Sequence, residues 1–111
     1  MRLVILESPY AGEIGRNEEY ARAALRDCLL RGEAPLASHL LYTQPGVLDD
    51  KIPDERHLGI EAGLAWGALA ELTVVYADRG ISRGMQYGID RATAEGRPVE
   101  FRSLSQAQEE R

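Results

Sequence analysis

Four short clusters hold the side chains best suited to chemistry. Ser8-Pro9-Tyr10-Ala11-Gly12 sets a hydroxyl and an aromatic ring in a glycine-bearing turn, and Ser38-His39 adds a second hydroxyl and an imidazole. Tyr76-Ala77-Asp78 closes an apolar run with a carboxylate, and Ser82-Arg83-Gly84-Met85 opens a helix behind it. An aromatic ring packs on a planar base, carboxylates hold sugar hydroxyls, and free N–H groups at a helix start accept a phosphate. That set of groups suits a nucleoside or a nucleotide. The candidate ligand contacts are Ser8, Tyr10, Gly12, His39, Ser82, Arg83, Gly84 and Met85, with Arg83 as a charge partner for a phosphate. Asp78 leads the carboxylates because it ends a strand facing the cleft, and Asp90 on the following helix stands second. Each residue also has a plainer role: Ser82 as a helix cap, His39 as a partner for a backbone carbonyl, Tyr10 as a cover on the core edge.

Those clusters need elements to carry them. Leu3–Leu6 and Leu72–Tyr76 are apolar, β-branched runs that read as buried strands, the first of them central. Asn17 is placed to cap a helix in which Tyr20, Ala24, Leu25, Cys28 and Leu29 recur at helical spacing, and Gly32 stops it. Ala34–Ala37 makes a short second strand ending at Ser38-His39, and Leu40–Pro53 reads as a long loop of the kind that often binds or covers a ligand. A helix from about Asp54 carries Leu58, Ala62, Ala65 and Leu69 on one face, with Gly59, Gly63 and Gly67 in a second row. Each glycine costs about 1 kcal/mol of helix propensity, so a packed strand or a partner helix must come close there. The Ser82 helix ends at Gly96, and Pro98–Arg102 is a fourth strand. The expected fold is α/β: a small Rossmann-like (flavodoxin-like) parallel sheet of about four or five strands, with helices on both faces and right-handed crossovers.

Composition narrows the class. The chain has 111 residues, 44% hydrophobic and 28% charged, which suits one globular domain over 1–102 and a polar C-terminal tail over 103–111. A net charge of −5 argues against a nucleic-acid polymer as partner, since such binding rests on neutralising phosphates. No apolar run reaches membrane-spanning length, and the single Cys28 reads as a small core residue in a reducing, cytoplasmic setting. With one cysteine and no zinc-like histidine spacing, no metal and no cofactor is expected. The acidic residues Asp49, Asp50, Asp54 and Glu55 read as solvated surface.

In order and spacing, Ser8-Pro9-Tyr10-Ala11-Gly12, Ser38-His39-Leu40-Leu41-Tyr42, Leu48-Asp49-Asp50, Pro53-Asp54-Glu55-Arg56, Gly59–Gly63, Ile81–Met85 and Gly96–Val99 resemble the nucleoside 2-deoxyribosyltransferase-like superfamily. The likeness is greatest to its small phage and bacterial branch of domains of unknown function, and it spans Leu3 to about Arg102. The resemblance implies a Rossmann-like fold, homo-oligomers of two or more copies, and cleavage of a nucleoside N-glycosidic bond by a glutamate in the last helix. That glutamate follows a Ser-x-Gly-x-x-x pattern, and the matching position here is Gly88. Glycine has no nucleophile to offer. Asp90 sits about 200° further round the helix.

Three readings follow. The leading one is a protein that binds a small-molecule nucleoside or nucleotide without the superfamily's turnover. The alternative is an N-glycosidic-bond enzyme, a deoxyribosyltransferase or nucleotide N-hydrolase, that uses Asp78, Asp90, Glu61 or Glu7 instead. The third is a non-catalytic oligomeric scaffold with the glycine-row helix as its interface.

Overall fold

In the computed structural model, which describes residues 1–105, the four strands predicted from the sequence form one parallel sheet. β1 (Arg2–Glu7) and β3 (Leu72–Tyr76) are central, flanked by β2 (Glu33–Leu36) and β4 (Val99–Arg102), in the order β2-β1-β3-β4. All pairs are parallel, with Ile5 opposite both Leu36 and Thr73, and Val75 opposite Phe101. Every residue of β3 is buried, which matches its uninterrupted apolar run. Each crossover carries a helix: α1 (Ile14–Leu30), then α2 (Ser38–Leu41) with α3 (Pro53–Gly67), then α4 (Arg83–Ala94).

Strand alternation sorts the core into two layers. Val4, Leu6, Val74 and Tyr76 face one way and pack on Ala24 and Cys28 of α1. On the opposite face Val75 packs with Met85 and Ile89 of α4 and with Val99. Ile5 and Glu7 share that second face, opposite Thr73 and Val75. The chain leaves β1 for α1 on one side and returns through α3 on the other. The carboxyl end of the sheet between β1 and β3 is therefore the switch point at which ligands of such folds sit.

Three local expectations change. α1 begins at Ile14, ahead of Asn17, and the Asn17 side chain instead donates to the carbonyls of Tyr10 (2.9 Å) and Ala11 (3.2 Å). The second strand stops at Leu36, and Ser38-His39 begins the one-turn α2. β2 is an edge strand, so beyond it the N–H groups of Leu40 and Leu41 turn back to the Ala37 carbonyl rather than extend a ladder. The expected polar tail is tied down where it is described. Leu104 is buried in the α1 layer, and Asp78 accepts bonds from Leu104 N (2.9 Å) and Ser103 Oγ (2.8 Å). Residues 106–111 of that tail lie outside the described residues.

A buried polar cluster that the sequence did not announce lies on the α1 side. Arg102 grips Glu33 with two 2.7 Å bonds, and the Tyr76 hydroxyl donates to Asp27 (2.6 Å). Cys28 borders this cluster, and burial first of all pushes its thiol up to about 11. A thiol at that value is not a nucleophile near neutrality.

Candidate functional site

A cavity of about 450 Å³ opens at the carboxyl end of β1, within the range of small-molecule sites. β1 contributes Ile5, Glu7 and Ser8, and the turn beyond it contributes Tyr10 and Ala11. α2 lends Ser38 and His39, and α3 lends Gly59, Gly63 and Gly67. The amino end of α4 supplies Arg83, Gly84 and Met85, with Tyr87 and Gly88 one turn further on.

The first wall is fixed by a hydrogen bond between Ser8 Oγ and His39 Nε2, 2.6 Å apart. It ties α2 to the end of β1. Burial holds the His39 imidazole down to about 4, so the ring is neutral at physiological pH. Thr43 Oγ1 donates to the His39 carbonyl (2.7 Å) and closes the turn behind it. The Asn17 amide holds the Tyr10 turn from below.

The glycine row of α3 lets α2 and the sheet approach. A Cβ on Gly63 would lie 2.5 Å from Ser38 Oγ and 2.7 Å from Ser38 Cβ. One on Gly59 would meet Leu48 at 3.3 Å, and one on Gly67 would meet the Arg97 guanidinium at 3.2 Å. The row is thus occupied from within the chain. Arg97 is locked in place by the Gly67 carbonyl (2.6 Å), Thr73 Oγ1 (3.0 Å) and Glu95 (2.8 Å).

The opposite wall is the start of α4. Ser82 caps it, with Met85 N donating to Ser82 Oγ at 3.3 Å. One turn in, α4 presents Gly88 to Glu7. A Cβ there would stand 2.5 Å from Glu7 Cδ, 3.1 Å from Oε1 and nearer still to Oε2. The Glu7 side chain lies in the space that a side chain at position 88 would need. Burial raises the Glu7 carboxyl to about 8, against the lowering effect of Arg97. Near neutrality it carries its proton.

Of the residues singled out from the sequence, Ser8, Tyr10, His39, Arg83, Gly84 and Met85 converge on this cavity. Gly12, Ser82, Asp78 and Asp90 are not among its lining residues. Gly12 makes the turn before α1 at φ +96°, and Ser82 is spent as a cap. Asp78 accepts from Tyr20 Oη (2.5 Å) and from Ser103, Leu104 and Ser105. Burial alone would raise it, but those bonds, Tyr20 foremost, hold it far below the usual carboxylate range. Asp90 is exposed and accepts from Gln86 one turn back (2.9 Å). The acidic loop, expected as solvated surface, does reach the cavity through Asp50 and Glu55, but both are internally committed, Asp50 on Arg56 (2.9 Å) and Glu55 on the Asp49 N–H (2.9 Å). No group of three or more His, Cys, Asp or Glu among the described residues is arranged to hold a metal ion.

Sequence reasoning named Glu7 only among several carboxylates and did not single out Arg97, Tyr42 or Thr43. The available signal was a charged residue closing an apolar strand on the same alternation as Ile5.

Residues 2–102 match the family model described as a domain of unknown function, DUF7768. No curated protein matches the chain. Among solved structures, a 2-deoxyribosyltransferase from the psychrotolerant bacterium Bacillus psychrosaccharolyticus is similar, with 20% identity and a TM-score of 0.64. The match covers 91% of this chain and 72% of that one. At that identity the likeness shows a shared fold. No described helix is long and apolar enough to cross a membrane.

Proposed function

The chain belongs to the DUF7768 family, and from that premise we propose that it binds a nucleoside or a nucleoside 5′-phosphate in the cavity at the carboxyl end of β1. The observation that carries this reading is the convergence of Tyr10, the Ser8–His39 pair and the start of α4 on one space of about 450 Å³. Tyr10 offers a ring for a planar base. Ser8 and neutral His39 offer hydrogen bonds to sugar hydroxyls without fixing a counter-charge. Arg83 and the N–H of Gly84, at the positive end of α4, are where an anionic 5′-substituent gains most. The fold likeness to a 2-deoxyribosyltransferase supports the same ligand class.

Assembly into a homodimer or larger oligomer in the cytoplasm belongs to the same reading, and light scattering on the purified chain tests the assembly. The binding test is titration calorimetry against ribo- and deoxyribonucleosides and their 5′-monophosphates. Saturable binding that Tyr10→Ala weakens at least tenfold is the expected result. Absence of binding by every member of the panel would overturn the reading.

A further inference from the structure

Resting on that nucleoside reading, we propose that Glu7 is the carboxyl group that acts on the glycosidic bond, presented from β1 into the volume that Gly88 of α4 leaves open. A cavity that only binds has no need of a carboxyl group held in its wall without a hydrogen-bond partner. Among the described residues nothing hydrogen-bonds to the Glu7 side chain, and it makes no ion pair within 4.0 Å, whereas the carboxylates of Asp50, Glu55, Asp78, Asp90 and Glu95 are all engaged. A Cβ at position 88 would come within 2.5 Å of Glu7 Cδ, so a side chain there would displace the Glu7 carboxyl from its present place. Glycine at 88 is therefore the complement of glutamate at 7. The carboxyl that β1 presents stands where a side chain from the helix wall would otherwise stand.

The protonation state sets the role. Burial keeps the proton on Glu7 up to about pH 8, so the free protein presents an acid. In the reaction the Glu7 proton passes to a nitrogen of the base. The C1′–N bond breaks, and its electron pair stays with the base, which leaves neutral. The carboxylate so formed faces the cationic C1′ and is steadied by Arg97. Water then adds its oxygen to C1′ and returns a proton to Glu7. The sum is nucleoside plus water giving free base plus free sugar, with Glu7 restored.

The test pairs calorimetry with chromatography of released base, on the wild-type chain and four variants. Glu7→Gln should bind within about threefold of wild type while base release falls by about 10²–10⁴-fold, the usual worth of a general acid. Glu7→Asp, which keeps a carboxyl but withdraws it by one methylene, should lose at least tenfold in release and serves if the glutamine variant does not fold. Glu7→Ala/Gly88→Glu should recover at least tenfold over Glu7→Ala, because the freed space accepts a carboxyl from α4. Release by Glu7→Gln at the wild-type rate would overturn the assignment, and so would wild-type binding without release. Failure of wild type to bind any member of the panel overturns instead the nucleoside reading beneath it.

Discussion

Glu7 on β1 and Gly88 on α4 occupy one site between them: the carboxyl of the first fills the space that any side chain on the second would take. The relationship is steric before it is chemical, so it can be tested without a substrate. Gly88→Ala should displace the end of the Glu7 side chain toward the cavity, and that shift should offset the gain of about 1 kcal/mol in helix propensity. In Glu7→Ala/Gly88→Ala nothing need move, so that gain should appear in full. Urea unfolding of the two singles and the double gives the coupling directly, and additive effects would mean the two positions do not compete.

The raised Glu7 carboxyl makes a signed prediction for stability against pH. An unfolded glutamate ionises near 4.5, whereas the folded one holds its proton to about 8. Between those values the folded chain binds more protons than the unfolded one, so stability falls as pH rises through that window. Glu7→Gln removes the penalty. The variant should match wild type near pH 5 and exceed it above about pH 8 by on the order of a few kcal/mol. Parallel thermal-melting profiles across that window would show that Glu7 ionises normally.

His39 works in the opposite sense. Its folded imidazole is held to about 4 against an ordinary 6.5, so below 6.5 the unfolded chain binds the extra proton and stability falls with acidity until about 4. Proton NMR should find the His39 ring titrating near 4. A His39 midpoint at 6 or above would mean the ring is solvated and the Ser8 bond is not maintained.

These predictions separate what the sequence made legible from what it did not. The strands were legible because Leu3–Leu6 and Leu72–Tyr76 are continuous apolar runs, and the site edge was legible because Ser8, His39 and Arg83 follow strand ends. Which carboxyl lines the cavity without a hydrogen bond of its own was not legible. That depends on alternation relative to the register: Glu7 falls on the Ile5 and Val75 face, whereas Asp78 lies past the end of β3 and is captured by Tyr20. The glycine row announced a close approach, but only tertiary packing shows α2 and Arg97 making it. The Arg102–Glu33 pair joins residues 69 apart, and no local pattern encodes it.

That pair is a structural clamp, and its loss should not be felt at the site. Both side chains are 4% exposed, so Arg102→Ala leaves the buried Glu33 carboxylate with only the half-exposed Arg2, 3.1 Å away, and should cost about 3 kcal/mol in urea unfolding. Arg102→Met/Glu33→Leu removes both charges and should recover most of that cost. Ligand binding should stay at the wild-type level in the double variant. A tenfold loss of affinity there would tie the cluster to the cavity.

Gly63 decides what the glycine row is for. A Cβ at that position would come within 2.5 Å of Ser38 Oγ and 2.7 Å of Ser38 Cβ, and Ser38 begins the one-turn helix that carries His39. Gly63→Ala should therefore push α2 away from α3, draw His39 off Ser8 and weaken ligand binding at least tenfold, about 1.4 kcal/mol. The same row seen as a subunit interface predicts something else: a change in oligomer mass with the cavity intact. Light scattering and calorimetry on this one variant separate the two. Weakened binding at unchanged mass places the row inside the site, and dissociation with binding preserved would return it to an interface.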